Sequence, residues 1–75
     1  MILAVVGCGN VGANLLQHLS NATAISKILA LDRDDDIVRA AIMDVAGAHP
    51  QFAHRIEIGD RSALTQADVI VLAAG

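Results

Sequence analysis

Tryptophan and tyrosine are absent and phenylalanine occurs once, as Phe52. Any core must therefore be aliphatic, and Val, Ile, Leu and Ala supply it, as in parallel strands covered on both faces. A single cysteine, Cys8, excludes an internal disulfide and fits a reducing, cytoplasmic setting. Basic residues are few, five Lys and Arg against eight Asp and Glu, for a net charge of −3. No basic patch forms, which argues against a nucleic-acid partner. No apolar run approaches the length of a membrane span, so no membrane partner is expected. Met1 leads straight into an apolar segment with no charged region before it, so no leader is expected.

Apolar residues are abundant instead, 55% of the 75 residues. One small domain is the most this length allows. A chain this short buries only about 60% of its unfolded surface. This much apolar surface is expected to meet further protein.

The pattern along the chain alternates between two periods. Strands are expected at Ile2 to Val6, Lys27 to Leu31, Arg55 to Ile58 and Asp68 to Leu72. A first helix is expected from Asn10 to Ser20, capped by Asn10, with Val11, Leu15, Leu16 and Leu19 on one face. Asn21, Ala22 and Thr23 begin a loop. Asp34, Asp35 and Asp36 open a second helix, where three carboxylates complement the helix dipole as a solvated start. Its apolar stripe is Ile37, Val38, Ala41, Ile42, Val45 and Ala46, widened by Met43, and Gly47 and Pro50 end it near Ala48. Gly59-Asp60 makes a turn, and Arg61 to Gln66 is a short connection of about one helical turn. Asp68 marks a strand boundary. Right-handed crossovers then give an all-parallel sheet in the order 3-2-1-4, the first half of a Rossmann-type dinucleotide-binding α/β fold. The fourth strand, Val69-Ile70-Val71-Leu72, would be an apolar edge with no charge inside it, and so would promote self-association.

The segment Gly7-Cys8-Gly9-Asn10-Val11-Gly12 joins the first strand to the first helix. In a strand–turn–helix unit, Gly7 permits the sharp turn and Gly9 lets a pyrophosphate approach the main chain. Gly12 brings the helix close to the sheet. Asp32 ends the second strand twenty residues after Gly12, where such a fold places the carboxylate for the adenosine ribose.

Order and spacing together resemble the N-terminal part of the lactate/malate dehydrogenase family. The resemblance spans all 75 residues and rests on five motifs. These are the Gly7–Gly12 loop, Leu29-Ala30-Leu31-Asp32, Ala41 to Val45, Gly59-Asp60, and Ala67 to Val71 leading to Ala74-Gly75. It implies the NAD-binding portion, residues 1–75, of an enzyme that moves hydride between NAD(H) and a 2-hydroxy or 2-keto acid, malate or lactate. It implies cofactor contacts from Gly7, Gly9, Asn10, Val11, Gly12 and Asp32, and from the backbone at Ala73, Ala74 and Gly75. It implies subunit contacts through the second helix, for which Ile42 is the expected anchor. The family's catalytic arginines, aspartate and histidine lie beyond the position of Gly75, so no catalytic residue is assigned and this stretch alone is expected to be inactive. Two positions depart from the family: Gly47 replaces a common histidine, and Arg33 replaces an apolar residue. Arg near the ribose favours a 2′-phosphate, which Asp32 opposes, and NAD is the expected cofactor.

Rival readings are a nucleotide-sensing regulatory module like those of potassium-channel gating domains, and an interaction fragment that dimerises through helix two. The Ala41 to Val45 segment with Gly59-Asp60 suits the dehydrogenases better. Cys8 is read as a small residue tolerated in the turn, against a thiolate activated by the helix start. His18, His49 and His54 are read as surface residues without metal-ligand spacing. Asp44 is read equally as solvent-facing or as a partner across a subunit interface.

Overall fold

In the computed structural model, which describes residues 1–19, 22 and 24–73, four strands form one parallel sheet in the order β3-β2-β1-β4. The elements are β1 (Ile2–Val6), α1 (Asn10–Leu19), β2 (Lys27–Leu31), α2 (Asp35–Ala48), β3 (Ile56–Ile58) and β4 (Val69–Leu72). Two 3-10 helices, Pro50–Arg55 and Arg61–Gln66, flank β3. The fold is α/β with the expected half-Rossmann topology. The expected ends Ser20, Asn21 and Thr23 lie outside the described residues.

Period-two alternation decides which side chains meet the helices. Leu3 and Val5 of β1 and Ile28 and Ala30 of β2 join Leu16 of α1 and Val38, Ala41 and Val45 of α2 in one buried aliphatic core. Ala4, Leu29 and Leu31 face the other way, under Ala63, Leu64 and Ala67 in and beside the second 3-10 helix. Each β1 residue from Leu3 to Val6 lies beside one residue of β2 and one of β4. β1 is thus the central strand, and its C-terminal end feeds the glycine loop.

The helices sit differently from the expected stripes. In α1 the buried residues are Gly12 and Leu16, with Ala13 and Leu19 packed beside them, while Val11 is 63% exposed. Gly12 carries no side chain, so the helix turns that edge onto the sheet and swings Val11 outward. Asn10 is not the cap: Ala13 N–H donates to the Gly9 carbonyl at 2.8 Å, which puts Gly9 at the cap position. In α2, Asp34 is the cap, and its carboxylate accepts from Asp36 N–H at 3.0 Å.

The buried stripe of α2 is Val38, Ala41 and Val45. Ile42 packs partly against the core, whereas Ile37 and Met43 are exposed, Met43 at 72%. Ile42 is therefore a core-facing residue rather than a free interface anchor. The helix ends at Ala48 as expected, one residue past Gly47, and His49 N–H closes onto the Val45 carbonyl at 2.7 Å.

Three boundaries carry more structure than expected. Pro50 starts a 3-10 helix where a loop was expected, as its fixed φ suits a first helical position. That helix absorbs Arg55, so β3 begins at Ile56, and the Arg55 guanidinium donates to the Ala22 carbonyl at 3.1 Å. Asp68 lies just before β4. Its carboxylate accepts from Ile2 N–H at 2.7 Å while its own N–H donates to the Ile2 carbonyl at 2.8 Å. It clamps the start of β4 to the start of β1.

β4 pairs with β1 and leaves its other edge open, with Val69, Ile70 and Leu72 exposed, Leu72 at 77%. No helix among the described residues is long and apolar enough to cross a membrane.

Candidate functional site

The carboxyl ends of β1 and β2 and the segment after β3 open onto one cleft of about 740 Å³. Parallel strands place their C-terminal ends on the same side, so loops far apart in sequence converge there. The glycine loop with the start of α1 forms one wall. Asp32 and Arg33 stand at the end of β2, and Gly59, Asp60 and Arg61 form the far wall.

Each loop residue has a distinct reason for its place. Gly7 has φ 96°, a left-handed conformation that side chains resist, and its N–H donates to the Leu31 carbonyl at 2.8 Å. Gly12 meets the tightest constraint. A Cβ there would fall 1.8 Å from the Gly7 carbonyl oxygen and 2.8 Å from its carbon, both backbone atoms. Gly9 is the opposite case, since a Cβ there would meet nothing within 4 Å while the residue itself lines the cleft. Its missing side chain keeps the main chain accessible. Asn10 and Val11 follow on the same wall, at the helix end whose first N–H groups lack intrahelical partners.

Asp32 holds this wall to the sheet. Its Oδ2 accepts from Cys8 N–H at 2.9 Å and its Oδ1 accepts from Asp34 N–H at 3.1 Å. These bonds, the Cys8 bond foremost, hold its carboxyl below the ordinary value of 3.8. Cys8 points the other way and is buried, with Sγ 3.5 Å from the Leu31 carbonyl oxygen. Burial first, and the charge of Asp32 second, push its thiol up. The structure therefore supports the small-residue reading of Cys8 over a reactive thiolate.

Ala73 also reaches the cleft, its N–H donating to the Val6 carbonyl at 2.8 Å. Ala74 and Gly75 lie outside the described residues. Asp60, read from sequence as a turn residue, caps the 3-10 helix Arg61–Gln66. Its Oδ1 accepts from Ser62 Oγ at 2.6 Å and Ala63 N–H at 3.2 Å. Arg61 was not foreseen as a cleft residue. The strand order was the signal, because it sets the end of β3 beside the end of β2. His18, His54 and Asp44 are exposed, and His49 is half-buried. Among the described residues no group of three His, Cys, Asp or Glu is placed to hold a metal ion.

No family model matches the chain. It is 34% identical over 73 residues to L-lactate dehydrogenase A of Rhizopus oryzae, covering 97% of the chain and 23% of that protein. It is 36% identical over 76 aligned positions to the L-lactate dehydrogenase of Deinococcus radiodurans, covering 100% of the chain and 25% of that protein. L-lactate dehydrogenase 1 of Staphylococcus aureus is 29% identical over 75 positions, covering 97% of the chain and 24% of that protein. Relatives named L-lactate dehydrogenase thus match almost the whole of this chain at 29–36% identity, in keeping with its resemblance to the lactate/malate dehydrogenase family. The chain spans about a quarter of the length of these curated relatives.

The two loop glycines separate experimentally. Gly12→Ala drives a methyl group into backbone and is expected to cost about 1–3 kcal/mol or more. Gly9→Ala places its methyl in open space and is expected to change stability by less than about 0.5 kcal/mol. Urea unfolding of both full-length variants checks this. Equal losses would mean that the Gly7–Gly12 contact is not the tight one.

The Asp32 bonds also make a pH prediction. A depressed folded-state pKa gives stability that is complete above the unfolded value and lost as pH falls through the folded one. Wild type should therefore exceed Asp32→Asn in unfolding midpoint at neutral pH, and the gap should close on acidification below 3.8. A gap that is constant with pH would show that the Asp32 charge does not hold the loop.

Proposed function

We propose that residues 1–75 are the first portion of the NAD-binding domain of a dehydrogenase that interconverts a 2-hydroxy acid, malate or lactate, and its 2-keto acid. The observation that carries the reading is the open main chain at Gly9 facing a cleft that Asp32 also lines. A pyrophosphate needs close backbone approach at a helix start, and a ribose needs a carboxylate acceptor. The residues present fit both needs.

Gly7, Gly9, Asn10, Val11 and Gly12 would hold the pyrophosphate. Asp32 has two oxygens with about four acceptor sites, of which two are taken by Cys8 and Asp34 N–H groups. The remaining sites would accept the ribose hydroxyls. The backbone at Ala73, with Ala74 and Gly75 after it, would line the path of the cofactor. When bound, NAD supplies hydride-transfer chemistry, while the protein supplies position and field. The groups that move protons and clamp substrate are assigned to segments outside these residues, and a cytoplasmic setting suits the free thiol. No feature of the fold favours the rival regulatory-module reading.

Calorimetry on the full-length protein tests the cofactor reading. Gly9→Ala should keep wild-type stability yet bind NAD at least about tenfold more weakly, since the methyl occupies the approach to the main chain. Asp32→Ala should lose roughly 1.5–3 kcal/mol for each charge-assisted bond. Wild-type NAD affinity in the Gly9→Ala variant would remove the pyrophosphate from this loop.

The same proposal includes a homo-oligomer joined through α2, supported by the exposure of Met43 and Ile37 on that helix. Burying one such side chain contributes roughly 1.5–3 kcal/mol. Met43→Glu should lower the mass of the full-length protein seen by light scattering without unfolding it. An unchanged mass places the interface elsewhere.

A further inference from the structure

Two arginines line the cleft at the ribose end, and the proposed binding of NAD uses neither. Arg33 follows Asp32 directly at the end of β2, and Arg61 opens the 3-10 helix after β3. β2 and β3 are paired neighbours, and Gly59 N–H extends that pairing by donating to the Ala30 carbonyl at 2.9 Å. The two arginines are far apart in sequence, yet the topology brings them to adjacent strand ends around one opening.

The charges in that opening are not equally available. Asp32 accepts backbone N–H bonds on both oxygens, and Asp60 spends its Oδ1 on Ser62 and Ala63. These two carboxylates are held in place by the local chain, and Asp35, in the first turn of α2, is a third carboxylate in the lining. The arginines are held by nothing comparable: the described ion pairs are Lys27–Glu57 and Arg39–Asp36. Arg33 acts on the Asp32 charge without closing a salt bridge to it. Both side chains are exposed and can turn toward an incoming anion. A guanidinium matches a phosphate with two parallel N–H donors, which suits a dianionic monoester better than a neutral hydroxyl.

We infer that Arg33 and Arg61 form a phosphate subsite beside Asp32, so that the cleft accepts dinucleotides with a 2′-phosphate as well as those without. This rests on the proposed dinucleotide site and adds its specificity. Asp32 serves the hydroxylated ribose. The arginine pair serves the phosphorylated one and offsets the repulsion from Asp32 and Asp35. The outcome is a relaxed preference rather than a reversed one.

Calorimetry on the full-length protein with NAD and NADP, for wild type and for Arg33→Gln, Arg61→Gln and the double variant, tests this. Wild type is expected to bind NADP within about tenfold of NAD, and the double variant to lose roughly ten- to a hundredfold for NADP, as when one or two charge-assisted bonds go. NAD affinity should stay within about threefold, because its hydroxyl partners are untouched. NADP binding should also weaken more steeply with salt than NAD binding in wild type, and this difference should vanish in the double variant. Wild-type exclusion of NADP while NAD binds would overturn the inference and leave the cofactor reading intact. Equal losses for both dinucleotides would also overturn it, assigning the arginines to the adenine or pyrophosphate they share. Failure of both to bind wild type would overturn the cofactor reading and the inference together.

Discussion

The contact between Gly12 and the Gly7 carbonyl leaves no room for any side chain. Its consequences spread through the site. With α1 seated that close, its Gly12–Leu16 edge meets the sheet and its first turn stands over the end of β1. The chain between the two glycines must then turn at once, which the positive φ of Gly7 permits. Cys8 is driven inward and Gly9 is left facing the cleft. One missing methyl group therefore sets the helix position, the core-side thiol and the open main chain.

Asp32 carries the electrostatic half of the same arrangement. A carboxylate at a strand end, with two backbone N–H groups on it, ties the glycine loop and the turn into α2 to a single point. Hydrogen bonds to an ionised group are worth more than neutral ones, so the loop gains order that a flexible glycine-rich segment lacks. Part of the carboxylate's acceptor capacity goes to structure and part remains for a ligand. A substitution at Asp32 thus disturbs the loop it anchors, whereas a methyl group at Gly9 meets no other part of the fold.

The sheet order, the four strands and the glycine loop were legible because they rest on strong local signals: period-two apolar runs, glycine spacing and crossover handedness. The helix faces were legible only roughly. A wheel drawn through Val11 and Leu15 assumes that every helix packs through its largest side chains, and Gly12 defeats that by offering a closer approach. α2 misleads in another way, since Ile37, Met43 and Ala46 continue an apolar pattern that the sheet covers only along Val38, Ala41 and Val45. Asp68 reads as a strand boundary and Asp60 as a turn residue, yet each accepts a backbone N–H bond that local pattern does not encode. Arg61 was hidden for a topological reason. Its place in the cleft follows from strand order and from nothing in its own neighbourhood.

The apolar excess of the composition now has an address. β1 and β2 are covered on the helix side by α1 and α2, and on the other side by the short helix Arg61–Gln66 with Ala67. Ile70 and Leu72 lie beside Ala4 and Val6 in register, so they share the face with the thinner cover, and both are exposed. Further exposed apolar side chains are Ile37 and Met43 on α2, Val11 on α1 and Ile58 on β3, and α2 carries two of them on one helix. These two surfaces differ in chemistry. An open strand edge offers a row of backbone donors and acceptors and takes another strand, while an amphipathic helix face takes a helix through side chains alone. The open edge of β4 is therefore the surface suited to a further strand, and the exposed side of α2 the one suited to a further helix. The cleft lies at the carboxyl ends of the strands, where Asp35 of α2 and Ala73 after β4 join its lining while Ile37, Met43, Ile70 and Leu72 do not.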